Sequence, residues 1–236
     1  MKVWAISDLH LGFSTGKWMD RFGEHWLGHH EKVKAAWLER ITAEDLVLLP
    51  GDFSWAMKPK QVAEELDWLA ALPGRKVLLK GNHDYWWPGS QKKLEELLPE
   101  GIYAMKKRAL VIDDLPIVGV RGGDFFARET EDPEKVQANL IRERHEFVQS
   151  VQHLDSIYEG DRAPIALFHY PPFRLGSSES FFTRMVEDLS CSYCLYGHLH
   201  NAAEWERSFR GEQRGVRYRL VSCDALNFEP MLLDEA

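Results

Sequence analysis

Residues able to hold a divalent cation recur in this sequence at one kind of place, directly after short apolar runs that read as strands. Asp8 and His10 follow Val3-Trp4-Ala5-Ile6, Asp52 follows Leu46-Val47-Leu48-Leu49, and Asn82 and His83 follow Val77-Leu78-Leu79. Downstream, His169 follows Ile165-Ala166-Leu167-Phe168, while His198 and His200 follow Tyr193-Cys194-Leu195-Tyr196. The carboxyl ends of strands are where α/β sheets assemble their sites, so these five ends are expected to converge on one cluster.

Spacing points the same way. In Asp8-Leu9-His10 and His198-Leu199-His200, residues two apart project to the same side of an extended chain, so each pair can face one site while the Leu packs away. Glycines precede three of the candidates, Gly51 before Asp52, Gly81 before Asn82 and Gly197 before His198. A residue without Cβ permits the sharp turns that bring backbone close to a metal ligand. Carboxylate, amide oxygen and imidazole without thiolate suit hard or borderline divalent ions such as Mn, Fe, Zn, Co or Ni. Three or four protein ligands per ion leave positions for water, which is the catalytic arrangement rather than the closed structural one.

The elements that must position these residues alternate short β-rich runs with longer segments of helical period, as expected for α/β or layered α+β folds. Strands are predicted at Lys2 to Ser7, Leu46 to Pro50, Lys76 to Lys80, Ala109 to Ile112, Ile117 to Val120, Pro164 to Phe168, Tyr193 to Tyr196 and Val216 to Ser222. Val33, Ala36, Trp37 and Ile41 predict one helix; Val62, Leu66, Leu69 and Ala70, with Pro59 in the first turn and Pro73-Gly74 at the end, predict a second. The longest helix starts at an Asp132-Pro133 cap, buries Phe147, Val148, Val151, Leu154 and Tyr158, and stops before Gly160. Phe13 to His30 reads as a long structured loop.

At 236 residues the chain fits one large domain, 1–236, and 44% hydrophobic with 12% aromatic content can fill its core. Neither a span of the roughly 20 apolar residues that crosses a bilayer nor a leader is read, and three cysteines do not make a disulfide framework. A cytoplasmic protein without membrane contact is expected. A net charge of -8 argues against strong nucleic-acid binding, although two divalent ions would reverse the sign locally.

Taken in order, Asp8-Leu9-His10, Gly51-Asp52, Gly81-Asn82-His83-Asp84, His169 and Gly197-His198-Leu199-His200 resemble the five motifs of the calcineurin-like metallophosphoesterases. The resemblance implies a four-layer αββα sandwich, two mixed β-sheets flanked by helices. It implies two metals, one on Asp8, His10, Asp52 and His200 and the other on Asp52, Asn82, His169 and His198, with Asp52 bridging; Mn or an Fe/Zn pair is favoured. It places His83 beside the metals, its imidazole oriented by Asp84. Many members carry a second carboxylate in the Gly-Asp-x-x-Asp block, where this chain has Gly51-Asp52-Phe53-Ser54-Trp55, and Trp55 is read as packing or as a pocket wall.

The implied activity is a phosphohydrolase, a phosphatase or phosphodiesterase. Metal coordination lowers the pKa of water from ~15.7 to about 7, and paired ions about 3.5 to 4 Å apart hold both nucleophile and phosphoryl oxygens, so a bridging hydroxide would attack in line. His83 would stabilise the transition state or protonate the leaving oxygen, with Asp84 favouring its charged form. The substrate is a phosphorylated small molecule or nucleotide. A nuclease or cyclic-nucleotide diesterase would use the same dinuclear site, whereas a non-catalytic scaffold predicts damaged motifs, and every metal position here is filled.

Other residues have plainer readings. His25, His29 and His30 lack partner motifs and are taken as loop or pocket residues, and Cys191 and Cys194 as buried thiols. Trp86-Trp87 fits either core packing or a wall that stacks a nucleobase. The arginines Arg207, Arg210, Arg214, Arg217 and Arg219 read as a solvated hairpin, and Arg121-Gly122-Gly123-Asp124 as a strand-end loop.

Overall fold

The apolar runs form strands whose alternate side chains belong to different cores. A computed structural model describes residues 1–123 and 132–234. Its strands are β1 (Val3–Ala5), β2 (Leu46–Pro50), β3 (Arg75–Leu79), β4 (Ile102–Met105), β5 (Leu110–Ile112), β6 (Leu115–Val120), β7 (Ile165–Phe168), β8 (Tyr193–Tyr196), β9 (Glu212–Gln213), β10 (Val216–Leu220) and β11 (Met231–Leu233). The helices are α1 (His29–Arg40), α2 (Ala63–Ala70), α3 (Gln91–Glu95), α4 (Pro133–Ile157), α5 (Phe181–Asp188) and α6 (Ala202–Arg207).

One sheet has the order β11-β1-β2-β3-β4 and the other β5-β6-β7-β8-β10-β9. Within each, the central strands run parallel, and antiparallel partners close an edge: β11 beside β1, β5 beside β6, β9 beside β10. Parallel strands are buried on both faces, which is why they read as unbroken apolar runs. Val3, Ala5, Leu46 and Leu48 of the first sheet meet Ile165, Leu167, Tyr193 and Leu195 of the second in a central core. Trp4, Val47 and Leu49 point the other way, onto Val33 and Trp37 of α1 and Leu66 and Leu69 of α2. Ala166, Phe168, Cys194 and Tyr196 pack under Phe147 and Leu154 of α4 and Phe182 and Val186 of α5. The result is the expected αββα sandwich.

Local differences from the expected elements have local causes. β1 ends at Ala5 because the chain then crosses to the other sheet: Ser7 N–H donates to the Val221 carbonyl (2.7 Å), and Cys223 N–H donates back to Ser7 (2.9 Å). Pro59 does not open α2; Gln61 N–H donates to Lys58 O (2.9 Å), closing a turn, and the helix begins at Ala63. Asp132 caps α4 by accepting from Glu134 N–H (3.0 Å), and Pro133 occupies the first turn as read. Its buried stripe is Phe147 and Leu154 with Glu143 and Ser150, while Val148, Val151 and Tyr158 are half-buried. Phe13 to His30 contains two short 3₁₀ turns and runs into α1 at His29.

Trp86 and Trp87 are buried in the outer core of the first sheet, the packing role of the two readings. The cysteines are free and buried, and burial pushes the Cys191 thiol up to about 12. Among the described residues no helix is long and apolar enough to cross a membrane. Asp124 lies outside the described residues.

Phe147 is fully buried with its ring 4.9 Å from that of Phe168, and it couples α4 to the second sheet. Phe147→Ala is expected to cost about 3–5 kcal/mol of unfolding free energy in a denaturant titration, whereas Ile141→Ala on the exposed face of α4 should cost under about 0.5 kcal/mol.

Candidate metal centre

Five strand exits meet on one rim, held there by backbone bonds between neighbouring exits. Asp8 N–H donates to the Gly51 carbonyl (3.0 Å) and His10 N–H to the Asp52 carbonyl (3.0 Å), so the chain leaving β1 runs along the chain leaving β2. His169 N–H donates to Arg121 O (3.1 Å) and Gly197 N–H to His169 O (3.0 Å), which aligns the exits of β6, β7 and β8. The pairs Asp8/His10 and His198/His200 do face one site, but not through an extended chain. Asp8 (φ 59°), His10 (φ 45°), Asp52 (φ 51°) and His198 (φ 73°) all adopt the left-handed region, which folds each exit back over the sheet ends. Leu9 and Leu199 pack away as expected.

Two triads of ligand atoms result. Asp8, His10 and His200 form one and Asp52, His169 and His198 the other, each with its atoms within 4.8 Å of one another. Asn82 joins the second: its Oδ1 is 2.6 Å from His169 Nε2 and 3.0 Å from His198 Nδ1. Asp52 lies between the two, its Oδ2 3.4 Å from His169 Nε2 and 3.7 Å from His10 Nε2. All seven residues of the expected ligand set therefore share one neighbourhood.

The atoms that converge are lone-pair carriers. His169 Nδ1 is 3.2 Å from the Pro50 carbonyl, an acceptor that takes its proton and leaves the Nε2 lone pair aimed at the oxygens of Asn82 and Asp52. His10 Nε2 and His200 Nε2 confront each other at 3.3 Å, with Asp8 Oδ1 3.6 Å from the latter. Burial holds the His169 and His198 imidazoles down at about 4 and about 3, so both are neutral at pH 7. Burial, then the charges of Asp84 and Asp8, push Asp52 well above the carboxylate range. His200 is raised to about 10: burial opposes the charge, but Asp224 and Asp8 outweigh it. A buried carboxylate, Asp52, raised by two acidic neighbours and set among imidazole nitrogens is a donor set that fits divalent cations.

Close approach at the glycines makes this geometry possible. A methyl group on Gly81 would collide with the Asp52 carboxylate, and one on Gly197 with the Asp8 carboxylate and the Ser7 hydroxyl. The Asp8 carboxylate is then fixed from below by the His198 N–H (3.0 Å) and the Ser7 hydroxyl.

Asp84 does not orient His83. Among the described residues its carboxylate accepts from Phe53 N–H (3.0 Å), Ser54 N–H (3.1 Å), Gly81 N–H (2.8 Å) and Trp86 Nε1–H (3.0 Å), which ties the Asn82 turn to the Asp52 turn. His83 instead gives its backbone N–H to Asp52 Oδ1 (2.8 Å), and its ring lies 4.4 Å from that of Trp55. Burial lowers its pKa, so the expected gain of charge from Asp84 is not found. Trp55 also stacks on His10 at 4.8 Å, the pocket-wall role.

Asp224 was not singled out from the sequence. Its Oδ1 is 3.1 Å from His200 Nδ1, which aims Nε2 at the site. The same signal would have found it, since Ser222-Cys223-Asp224 follows a predicted strand. His29 is placed outside the cluster with its Nε2 2.8 Å from the Leu9 carbonyl, while Arg214 pairs with Glu187 (3.3 Å) and Arg219 with the Gly211 carbonyl (3.3 Å), as the loop and hairpin readings had them.

If the four bonds of Asp84 hold the two turns together, Asp84→Ala loses metal as well as stability, by about 2–5 kcal/mol for the buried donors left unpaired. Metal analysis beside a denaturant titration checks this; full metal content in the variant contradicts it. Gly81→Ala is expected to lose metal with a near-native circular dichroism spectrum.

Comparisons with known proteins bear on the family and the fold. The chain is 39% identical over 84 residues to the Gene 66 protein of Mycobacterium phage D29 and 32% identical over 82 residues to that of phage L5. Each match covers 35% of this chain, which spans about two-fifths of the length of either relative. Among solved structures, phosphopantetheinyl hydrolase from Mycobacterium tuberculosis superposes with a TM-score of 0.59 at 16% identity, covering 100% of this chain and 96% of that one. A protein of unknown function from Aquifex aeolicus gives a TM-score of 0.50 at 19% identity over 98% and 95%. Residues 1–202 match the calcineurin-like phosphoesterase family, and the chain belongs to that family.

Proposed function

We propose that this protein hydrolyses a phosphate ester at a dinuclear metal site. Asp8, His10 and His200 hold one divalent cation, Asn82, His169 and His198 hold the other, and Asp52 bridges them. The observation that carries the reading is the position of Asp52 Oδ2, 3.4 Å from one triad's His169 and 3.7 Å from the other triad's His10. When bound, such cations supply Lewis acidity to phosphoryl oxygens and acidify water, two cations serving as a clamp on the displacement.

The chain's own part is positioning and proton transfer. His200 is aimed by Asp224 and His169 by the Pro50 carbonyl, so neither imidazole has to reorganise. As the phosphorus–oxygen ester bond breaks and the oxygen of water bonds to phosphorus, the leaving oxygen needs a proton. His83, half-buried on the same rim and outside both triads, is the donor for it. Asp84 acts through the turns it pins. Residues 1–236 are read as one cytoplasmic domain, Mn or an Fe/Zn pair as the metals, and a phosphorylated small molecule or nucleotide as the substrate; monoesters and diesters fit the same machinery. The phosphopantetheinyl hydrolase shares the fold and gives no substrate at this identity.

Stripping the protein with a chelator is expected to abolish turnover of aryl phosphate mono- and diesters, and reloading with one of Mn, Fe, Zn, Co or Ni to restore it; activity indifferent to chelation would defeat the reading. His83→Ala is expected to lose about 10²–10⁴-fold in kcat while both ions remain on metal analysis. Asp52→Ala should lower the content of both ions together.

A further inference from the structure

Beside the Asp8-His10-His200 triad the surface opens into a cavity of about 290 Å³, lined by His10, His83 and His200 and otherwise by Met19, Phe22, Trp26 and Trp55. That volume is at the lower end of the ~300–1,000 Å³ of small-molecule sites, room for a compact group such as one ring system. The apolar part comes from two places. Trp55 follows the Asp52 turn and carries His10 on its face, the two rings nearly parallel at 23°. Met19, Phe22 and Trp26 come from the two short 3₁₀ turns that follow His10 in the connection between β1 and α1.

Trp26 is fixed: 2% exposed, its ring 5.3 Å from those of His29 and Phe228 and 5.6 Å from that of His200. Phe22, by contrast, is 61% exposed while lining the cavity. A large exposed ring next to a polar centre is apolar surface that a ligand can cover. Lys17, from the same segment, holds its ammonium 5.5 Å from the Trp55 ring centroid, a positive charge at the edge of the cavity.

We propose that this cavity receives a planar aromatic ring carried by the leaving alcohol of the substrate, so that the preferred esters are aryl or nucleoside phosphates rather than alkyl phosphates. The assignment to the leaving side rests on the hydrolase reading above. His83 lines the cavity, and a group whose oxygen it protonates departs past it into the aromatic walls. Phe22, Trp55 and Trp26 present ring faces and edges against which a planar ring stacks without a specific hydrogen-bond pattern.

Calorimetric titration of the metal-loaded protein with two matched pairs tests this: phenylphosphonate against propylphosphonate, and adenosine monophosphate against ribose phosphate. The ring-bearing member of at least one pair is expected to bind about tenfold more tightly, and Phe22→Ala, a change at an exposed side chain, to shrink that ratio to about threefold or less. A preference in the first pair alone places the ring directly on the ester oxygen, and in the second alone makes it a nucleobase. Equal affinities within both pairs, or a ratio untouched by Phe22→Ala, overturn the proposal. Hydrolysis is scored separately on phenyl and propyl phosphate. A ring preference in binding without turnover of any ester removes the hydrolase reading and leaves the cavity assignment standing; turnover without ring preference does the reverse.

Discussion

Three carboxylates, Asp8, Asp52 and Asp84, are buried on one rim, and the rest of the site is arranged around the cost of keeping them there. An ionised carboxylate taken out of water is tolerated only with opposite charge or several hydrogen bonds. Asp84 is satisfied by four N–H donors. Asp8 receives the His198 amide and the Ser7 hydroxyl, and Asp52 the His83 amide, while the other oxygen of Asp52 faces the imidazole nitrogens of His10 and His169. A divalent cation would answer that remaining demand, and the two imidazoles that face it, His10 and His169, are kept neutral by burial.

The backbone bears a cost for the same arrangement. Left-handed conformations at non-glycine residues are unfavourable by about 1–2 kcal/mol each, and four of the proposed ligands adopt them. The compensation is visible in the bonds between exits, where Asp8 and His10 donate to the carbonyls of Gly51 and Asp52 and Ser7 joins the two sheets through Val221 and Cys223. Strain of this kind persists where surrounding structure over-determines it, and two stacked mixed sheets provide that rigidity. The proposed ligands are thus held in place by the fold itself.

What could be read from the sequence follows from this physics. Central parallel strands are buried on both faces, so β2, β7 and β8 stand out as apolar runs, and a polar residue after such a run marks a site. That rule placed Asp8, Asp52, Asn82, His169 and His198 on one rim. It failed where the run is short or interrupted: β4 and β11 carry the exposed Tyr103 and Leu232, and α5 begins at a Ser180-Thr183 capping box that lacks the usual acidic residue. The role of Asp84 was misread for another reason. Its neighbour in the chain, His83, is not its partner, because the turn that presents Asn82 directs the carboxylate inward onto backbone amides, a choice made by tertiary packing and not by adjacency.

His10 ties the two halves of the site together. Its Nε2 faces Asp52 and His200, while the face of its ring lies on Trp55 and Trp26 stands edge-on to it at 6.4 Å. The aromatic cavity and the metal triad therefore share a side chain, and the walls cannot be reshaped at Trp55 or Trp26 without moving a ligand. Phe22 is bound by no such constraint, being largely exposed at the end of a 3₁₀ turn downstream of His10. The 3₁₀ turn that carries Phe22 is accordingly free to vary without moving the side chains at the strand ends, which separates what the fold holds in place from what a surface turn adds to it.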